Sequence, residues 1–352
     1  MKTSLLDVLV APGDHASLSV AEGERSDGGD LIEGALSADG GKLFPVRDGV
    51  PRMVPAEQNG SGPSQEATAE SFGAKWERLR DQDRGRLSEM QYAWFDERYG
   101  FDGDAGLAEH LKGRERILDA GTGSGLHAAR FARLADGDVI GMDLSSSVGR
   151  AQSSFAEAPN LQYVQGDILD PPFGPDSFDL VVSDQVIHHT PDCHRAFATL
   201  AGLLRPGGEI AVYVYKVKPL VREMADTEVR NLTTKLSVED CWEFSEQITE
   251  LGRALSELDA KVTLKTGVPL LGIEPGEHDV QRLIYWTLLK CYWNEELGED
   301  LSTLVNFDWY HPPYASRHTE EELRGWCGEL GLEVRHVDVM ESGISIRATR
   351  PA

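Results

Sequence analysis

The residues most able to do chemistry in this sequence are carboxylates and glycines that lie at the ends of apolar runs. In the segment RERILDAGTGSGL, Asp119 ends a short apolar run, and Gly121, Gly123 and Gly125 follow it directly. Glycines are needed where the backbone turns sharply or approaches a ligand closely. The next apolar run, DVIGMDL, contains Asp143. It lies about 20 residues beyond the turn, a spacing that suits a carboxylate bound to the hydroxyl pair of a ribose.

Two classes of nucleotide ligand compete for this glycine turn. A dinucleotide fingerprint would place its third glycine where Leu126 stands, and no Lys or Arg lies within residues 119–129. A carboxylate at Asp119 disfavours a phosphate and favours a cation. A ligand with an ammonium group, a sulfonium and an adenosine, such as S-adenosylmethionine, fits this turn better. An NAD-dependent oxidoreductase is the weaker interpretation, and a turn that binds no ligand is the third.

The composition of the whole chain narrows the set of partners. The chain has 352 residues and a formal net charge of −25. This charge repels phosphate backbones and acidic membrane surfaces, so we expect neither a nucleic acid nor a membrane as partner. We find no apolar run of bilayer length and no signal-peptide pattern, which predicts a cytoplasmic protein. The four cysteines lack metal-site and disulfide spacing, which predicts reduced thiols and no bound metal.

Alternating strands and helices must position the candidate residues. The pattern predicts strands at 117–120, 139–142, 162–165, 178–183 and 209–215, and helices at 126–134, 146–156 and 194–204. Such alternation indicates an α/β fold with a doubly wound, mostly parallel sheet and helices on both faces. Near the C-terminus, HTEEELRGWCGELG predicts a helix capped by Thr319, and two strands follow it.

The same pattern divides the chain into regions. Residues 1–55 predict a small β-rich unit with a hairpin turn at Asp48-Gly49. Residues 56–70 are polar and rich in Gly, Pro and Ser, which predicts a linker. The nucleotide-binding domain is predicted at residues 71–216 and 317–352.

Residues 217–316 interrupt the alternation. They contain two helix-like runs, DCWEFSEQITELGRALSELDAKV and DVQRLIYWTLLKCYWNEEL, and an aromatic loop is predicted at 308–317. We interpret this region as a helical insertion after the fifth strand, which either covers the acceptor as a lid or contacts a second subunit.

Five motifs together resemble those of class I S-adenosylmethionine-dependent methyltransferases with small-molecule substrates. They are ILDAGTGSG, VIGMDLS, VQGDILDPPF, FDLVVSDQVIHHTPD and LLRPGGEIAVYVY. The resemblance covers residues 72–350 and implies a Rossmann-like fold with S-adenosyl-L-methionine as cofactor. The segment KLFPVRDGVPRMVP resembles the end of a zinc-ribbon-like domain that precedes some bacterial methyltransferases. No cysteine precedes Cys193, so we expect a β cap without metal.

The resemblance also implies a role for individual residues. Asp119 and Gly121 would lie by the methionine portion of the cofactor, and Asp184 and Gln185 would approach the methionine and the sulfonium. Asp143 would accept from the ribose hydroxyls. The remaining implied contacts are with the adenine or with the backbone of the turns: Thr122, where many relatives have Cys, Gly123, Leu144, Gly166, Asp167 and Ile168. Phe72 and Trp76, from an aromatic-dense stretch, belong either to the core or to a cover over the cofactor.

Two adjacent histidines, His188 and His189, follow the fourth predicted strand. A neutral imidazole can take a proton from a hydroxyl or an amine as it attacks the methyl carbon. Adjacent residues rarely face the same cavity, so we expect only one of them at the site; alternatively, both hold the following Thr190-Pro191 turn. Tyr215 and His311 are further candidates for contact with the substrate. Alignment of donor and acceptor alone can supply much of the rate, so a base is not required.

The sequence therefore predicts a methyltransferase that modifies oxygen or nitrogen of a small molecule in natural-product or other secondary metabolism, such as antibiotic biosynthesis. The alternative is a methyltransferase-fold protein that binds S-adenosylmethionine or S-adenosylhomocysteine but does other chemistry or has a structural role in a biosynthetic complex. A homodimer and a complex with a pathway partner both stay open.

Overall fold

The computed structural model describes residues 1–25, 29–54, 63–78 and 84–352. Four antiparallel strands form its N-terminal unit: β1 (Leu18–Arg25), β2 (Leu31–Ala38), β3 (Leu43–Arg47) and β4 (Val50–Pro51). Asp48 and Gly49 connect β3 to β4 with φ values of 51° and 74°. Two consecutive residues with positive φ are what a type I′ hairpin turn requires, so the predicted hairpin is confirmed.

The N-terminal unit shares a hydrophobic core with the rest of the chain. Phe44 and Met53 pack in one buried cluster with Val164 and Phe173. The Met53 N–H also donates to the Gln165 carbonyl at 2.8 Å. The segment that follows β4 therefore extends the edge of the main sheet, and burial of apolar side chains fixes the unit against it.

Three helices precede the main sheet: α1 (Pro63–Arg78), α2 (Arg84–Tyr99) and α3 (Gly103–Leu111). The predicted linker at 56–70 is wrong in its second half, because α1 begins at Pro63. Proline suits the first helical position, where its missing N–H costs nothing, and the following QEATAE contains good helix formers. Residues 56–62 of the predicted linker lie outside the described residues.

The predicted alternation of strands and helices follows. It comprises β5 (Arg116–Ala120), α4 (Leu126–Leu134), β6 (Asp138–Asp143), α5 (Ser147–Ser154), β7 (Leu161–Gln165), β8 (Phe178–Ser183), α6 (Cys193–Ala201) and β9 (Leu204–Lys216). Two boundaries differ from the prediction by more than two residues: β9 begins at Leu204 and not at residue 209, and α6 ends at Ala201 and not at residue 204. This helix stops at Ala201 because Leu204 already pairs with Phe178 in the parallel ladder.

The insertion after β9 contains α7 (Leu220–Thr233), α8 (Val238–Glu257), β10 (Lys261–Leu264), β11 (Gly276–Asp279), α9 (Val280–Thr287) and α10 (Gly298–Tyr310). It is not wholly helical, because β10 and β11 pair as an antiparallel ribbon. The first residues of the aromatic loop predicted at 308–317 are instead helical, because they form the last turn of α10.

The second predicted helical run in the insertion ends early, at Thr287. Side chains form hydrogen bonds with the backbone groups that would otherwise pair within a longer helix. Gln281 Nε2 donates to the Cys291 carbonyl at 3.0 Å. The Asn306 amide bonds the N–H and the carbonyl of Tyr292, at 2.9 and 3.0 Å. Buried backbone groups need partners, and tertiary contacts supply them here.

The chain closes with β12 (Arg317–His318), α11 (Glu320–Glu329), β13 (Glu333–Val339) and β14 (Gly343–Thr349). The predicted cap of α11 is confirmed, since Thr319 and Glu322 bond each other's backbone N–H in a capping box. The two predicted closing strands are also confirmed.

The main sheet has the strand order β13-β14-β9-β8-β5-β6-β7, with β12 paired to β9. Strands β5 to β9 are parallel, whereas β14 and β13 run antiparallel. The predicted α/β fold class is therefore confirmed. The chain reverses its direction of travel across the sheet between β5 and β8, and ligands of open α/β sheets bind beside such a reversal, at the carboxyl ends of the strands.

Three further observations concern the part of the chain that the structure describes. All four cysteines are buried free thiols, as the sequence predicts: Cys193, Cys241, Cys291 and Cys327. Within the described ranges, we find no helix that is both long enough and apolar enough to cross a bilayer. The same ranges contain no group of three or more His, Cys, Asp or Glu placed to hold a metal ion.

Candidate active site

A cavity of about 460 Å³ opens at the carboxyl ends of the parallel strands, and α1, α2 and the insertion line its other sides. This volume falls in the range of small-molecule sites. Most of the predicted site residues line it: Phe72, Trp76, Gly121, Thr122, Gly123, Asp143, Leu144, Asp167, Ile168, Asp184, Gln185, His189 and Tyr215. Four predicted residues do not line it: Asp119, Gly166, His188 and His311.

Asp143, the last residue of β6, is fixed by three hydrogen bonds. Its Oδ2 accepts from the Gly123 N–H at 2.9 Å, and its Oδ1 accepts from the N–H and the hydroxyl of Ser145, at 2.9 and 2.6 Å. A carboxylate can accept about four hydrogen bonds, so Asp143 keeps some acceptor capacity for a ligand in the cavity. Burial raises the pKa of this carboxyl above its usual value, and these bonds oppose the rise.

Trp76 of α1 covers the glycine turn. Gly123 has a φ of 52°, and a Cβ at this position would lie 2.8 Å from the Trp76 ring. Lys75 Nζ lies 4.5 Å from the centroid of that ring. The absence of a side chain at Gly123 thus lets the indole lie directly on the turn.

We predict that Gly123→Ala weakens binding of S-adenosylhomocysteine about tenfold, because loss of one aromatic contact costs on the order of 1 kcal/mol. The new methyl group displaces Trp76, and calorimetric titration measures the loss. Gly113→Ala is the matched control, since Gly113 also has a positive φ, 75°, but nothing lies within 4 Å of its would-be Cβ. Equal dissociation constants for the two variants would contradict the role given to Trp76.

Asp119 lies beneath the turn rather than in the cavity wall. Thr122 Oγ1 donates to its Oδ2 at 2.6 Å. Burial raises the pKa of Asp119 to about 7. Near pH 7 the carboxyl is therefore protonated in a large fraction of molecules, and the turn carries less negative charge than the sequence alone suggests.

Asp184 lines the cavity, but its oxygens already have protein partners. Arg98 Nη1 donates to Oδ2 at 2.8 Å, and the Tyr99 hydroxyl donates to Oδ1 at 3.1 Å. A buried ion pair with α2 therefore holds this carboxylate at the cavity wall, and the contact with the methionine that the resemblance implies stays a prediction. The next residue, Gln185, has a φ of 63°, which is uncommon for a residue other than glycine and is typical of functional sites.

Of the two adjacent histidines, only His189 lines the cavity. Its Nδ1–H donates to the Tyr314 carbonyl at 2.7 Å, so the lone pair is on Nε2. This Nε2 is buried and has no hydrogen-bond partner among the described residues. Burial lowers the pKa of His189 to about 4, which keeps the ring neutral at pH 7. His188 is fully buried instead, with its ring 3.8 Å from the Tyr215 ring.

His311 and Gly166 have structural positions. His311 Nδ1 bonds the Ser71 hydroxyl at 2.8 Å and its ring stacks on Phe307, so it joins α1 to α10 behind the cavity wall. The predicted substrate contact of His311 is therefore wrong in this structure. A side chain at Gly166 would meet Pro172 and Met142 at about 3 Å, so this glycine permits close packing beneath the neighbouring Asp167.

Asp308 of α10 is the centre of a small hydrogen-bonded cluster that the sequence analysis did not predict. It accepts from Lys75 Nζ at 2.6 Å and from the Tyr215 hydroxyl at 3.3 Å. Burial and the neighbouring carboxylate raise the pKa of Tyr215 well above its usual value, so this phenol is a neutral donor and not a base. The insertion adds further lining residues that no motif indicated: Lys218, Arg222, Arg282, Tyr285, Trp286, Lys290, Tyr292 and Trp309.

The central part of the chain is similar to known methyltransferases. A family model described as a methyltransferase domain matches residues 118–212. An uncharacterized methyltransferase of Mycobacterium tuberculosis is 40% identical over 111 residues, which is 31% of this chain and 55% of that protein. Trans-aconitate 2-methyltransferase of Deinococcus radiodurans is 38% identical over 100 residues, which is 28% of this chain and 37% of that protein.

Among solved structures, an S-adenosylmethionine-dependent methyltransferase from Mesorhizobium loti aligns with a TM-score of 0.42 and 16% identity, over 70% of this chain and all of that one. The chain spans about half the length, or less, of the curated relatives that it matches. The matched region runs from β5 to β9, so both the N-terminal unit and the insertion lie outside it.

Proposed function

We propose that this chain, whose residues 118–212 match a methyltransferase domain model, transfers a methyl group from S-adenosylmethionine to oxygen or nitrogen of a small molecule. The observation that carries the proposal is that Asp143, the glycine turn and His189 line a single cavity, and that the buried Nε2 of His189 has no hydrogen-bond partner among the described residues. The insertion that lines this cavity, together with the net charge of −25, supports a small acceptor, as in secondary metabolism, over a nucleic acid.

The residues at the carboxyl ends of β5 to β7 fit the chemical groups of the cofactor. Asp143 keeps acceptor capacity for the ribose hydroxyls, and Asp167 lies on the same side for the adenine amine. Leu144 and Ile168 supply apolar surface for the adenine ring. Asp119, beneath the turn, becomes fully ionised when an ammonium group approaches it. When bound, S-adenosylmethionine supplies a methyl group that the sulfonium charge has already activated.

We assign the role of proton acceptor to His189. Its Nε2 accepts the proton of the acceptor hydroxyl or amine as the acceptor attacks the methyl carbon, and the Tyr314 carbonyl holds the tautomer that leaves Nε2 free. Asp308 raises the pKa of His189 through its negative charge, so it stabilises the imidazolium that forms. Tyr215 and Lys75 hold Asp308 in place for this role.

Cofactor affinity should depend on the ionisation of Asp119. A bound ammonium lowers the pKa of about 7 that this carboxyl has in the free protein, so binding releases a proton. The affinity for S-adenosylhomocysteine should therefore rise with pH, by at most about tenfold per unit below the pKa, and level off above it. Titration calorimetry in buffers of different ionisation enthalpy measures this proton release. Asp119→Asn should abolish it, whereas an unchanged release in that variant would assign the proton to another group.

Incubation of the purified protein with S-adenosylmethionine labelled in its methyl group, and with a panel of phenols, amines and sugars, tests the activity. We expect a labelled acceptor and an equal amount of S-adenosylhomocysteine. Tight cofactor binding without label on any acceptor would count against transfer and favour the binding-only alternative.

A further inference from the structure

The half of the cavity formed by the insertion carries two lysines that no carboxylate balances. Lys218 and Lys290 both line the cavity and are only 6% and 7% exposed. The nearby carboxylates are already used, since Asp226 pairs with Arg222 at 2.8 Å and Asp308 pairs with Lys75 at 2.6 Å. Within the described part of the chain, no carboxylate oxygen lies within 4.0 Å of the Nζ of either lysine. This excess of basic groups contrasts with the net charge of −25 of the whole protein.

Several hydrogen-bond donors in this half of the cavity also lack acceptors. Lys218 Nζ donates to the carbonyls of Glu341 and Ser342, which leaves one of its three protons. Lys290 Nζ makes no hydrogen bond to any residue that the structure describes. Trp309 Nε1 is likewise buried, and no acceptor for it exists among those residues. An acceptor group from outside the chain can satisfy these donors.

Burial of an unpaired cation costs free energy, and the lowered pKa values of the two lysines reflect this cost. Burial and the charge of Arg222 lower the pKa of Lys218 to about 6 and that of Lys290 to about 7. An anion bound between them would remove much of this penalty and hold both groups in the charged form. This half of the cavity is therefore arranged to gain stability from a negatively charged ligand.

Aromatic rings connect the two lysines to the proposed base. Lys218 Nζ lies 5.7 Å from the Trp286 ring centroid, and Lys290 Nζ lies 4.7 Å from that of Trp309. The Trp309 ring is 4.8 Å from Tyr215, whose ring is 5.4 Å from that of His189. Two aromatic side chains thus separate Lys290 from His189, and their flat faces suit a planar molecule.

We propose that the methyl acceptor is a planar, conjugated or aromatic acid whose carboxylate binds to Lys218 and Lys290 while its nucleophilic oxygen or nitrogen lies at His189. This inference rests on the proposed function. A carboxylate fits better than a phosphate, because the free donors are few and Asp226 and the Tyr285 carbonyl already occupy the Arg222 guanidinium.

Matched acids and amides test this proposal in the full chain saturated with S-adenosylhomocysteine. The probes are 4-hydroxybenzoate and 4-hydroxycinnamate, each beside its neutral amide, and titration calorimetry measures their binding. We expect at least one acid to bind about 10- to 100-fold more tightly than its amide, the factor that a hydrogen bond to a charged group provides. This comparison requires no variant.

Variants locate the acid within the cavity. Lys290→Met should abolish the preference for the acid over the amide, whereas Lys290→Arg should retain most of it. The midpoint of thermal unfolding should not fall in Lys290→Met, because the variant replaces an unpaired buried charge by an apolar chain of similar length. Lys218→Met should reduce the preference in the same way as Lys290→Met.

Three results with the wild-type chain would overturn the inference: equal affinity for acid and amide in both pairs, no binding of either acid, or tighter binding of phenyl phosphate than of the acids. An acid preference that survives in Lys290→Met would also overturn it. S-adenosylhomocysteine is titrated separately into each protein. If it binds while the acids show no preference, only this inference fails; if it does not bind to the wild-type chain, the proposed function fails.

Discussion

Replacement of His189 by asparagine is expected to lower kcat about 10²- to 10⁴-fold, the contribution typical of general base catalysis. The asparagine amide can still donate to the Tyr314 carbonyl, as His189 Nδ1–H does at 2.7 Å, so the local turn should persist. The variant lacks a counterpart of His189 Nε2, which in the wild type is buried and has no hydrogen-bond partner among the described residues. Affinity for S-adenosylhomocysteine should not change, and initial rates of its formation from S-adenosylmethionine give kcat.

His194→Asn is the control for this experiment, because His194 is a half-exposed residue of α6 that bonds Glu329 at 3.1 Å, outside the cavity. It should keep the wild-type kcat. An unchanged kcat in His189→Asn as well would mean that His189 only holds the turn and that alignment of donor and acceptor supplies the rate.

Replacement of Arg98 by methionine is expected to lower the free energy of unfolding by about 3–5 kcal/mol, the usual cost of breaking a buried ion pair. Arg98 and Asp184 are 2.8 Å apart, with side chains only 6% and 3% exposed. Without Arg98, the Asp184 carboxylate stays buried, and its remaining hydrogen-bond donors among the described residues are the Tyr99 hydroxyl and the Gln185 amide. Urea denaturation with linear extrapolation measures the loss.

The double variant Arg98→Met with Asp184→Asn separates charge from packing. The amide carries no charge, so the double variant should recover a large part of the stability that Arg98→Met loses. A double variant no more stable than the single one would show that the guanidinium acts through packing against Tyr213, whose ring centroid lies 4.3 Å away, and not through Asp184.

The nucleoside end of the site could be predicted from the sequence because short-range rules determine it. The glycines of the first turn, the apolar run before Asp119 and the spacing to Asp143 are all local features, and the fold brings Gly123 and Asp143 into a hydrogen bond. The capping box at Thr319 is equally local. Strand-helix alternation then fixes the sheet, since parallel strands require crossover helices.

The acceptor end could not be predicted, because contacts between distant parts of the chain build it. Lys75 and Asp308 are 233 residues apart in the sequence and form an ion pair. Lys290 follows α9 in a segment whose periodicity looks helical, and only the side chains of Gln281 and Asn306 reveal why that helix stops. No motif or spacing encodes such contacts.

Burial decides several roles that residue type leaves open. Adjacent histidines have the same chemistry, yet the turn at residues 187–189 buries His188 and brings only His189 to the cavity. Asp184 is a carboxylate after a strand, as a ligand contact requires, but its position beside Arg98 gives it a protein partner. Asp119 shows a pKa raised to about 7 that its sequence neighbours do not indicate.

Calorimetric titration of the full chain with S-adenosylhomocysteine and, separately, with NADH tests the central claim most directly. The two ligands share an adenosine, but only the first carries an ammonium group without phosphate, the chemistry that suits the turn above Asp119. We predict one binding site for S-adenosylhomocysteine and no heat of binding for NADH. Binding of NADH with no response to S-adenosylhomocysteine would contradict the account of this site.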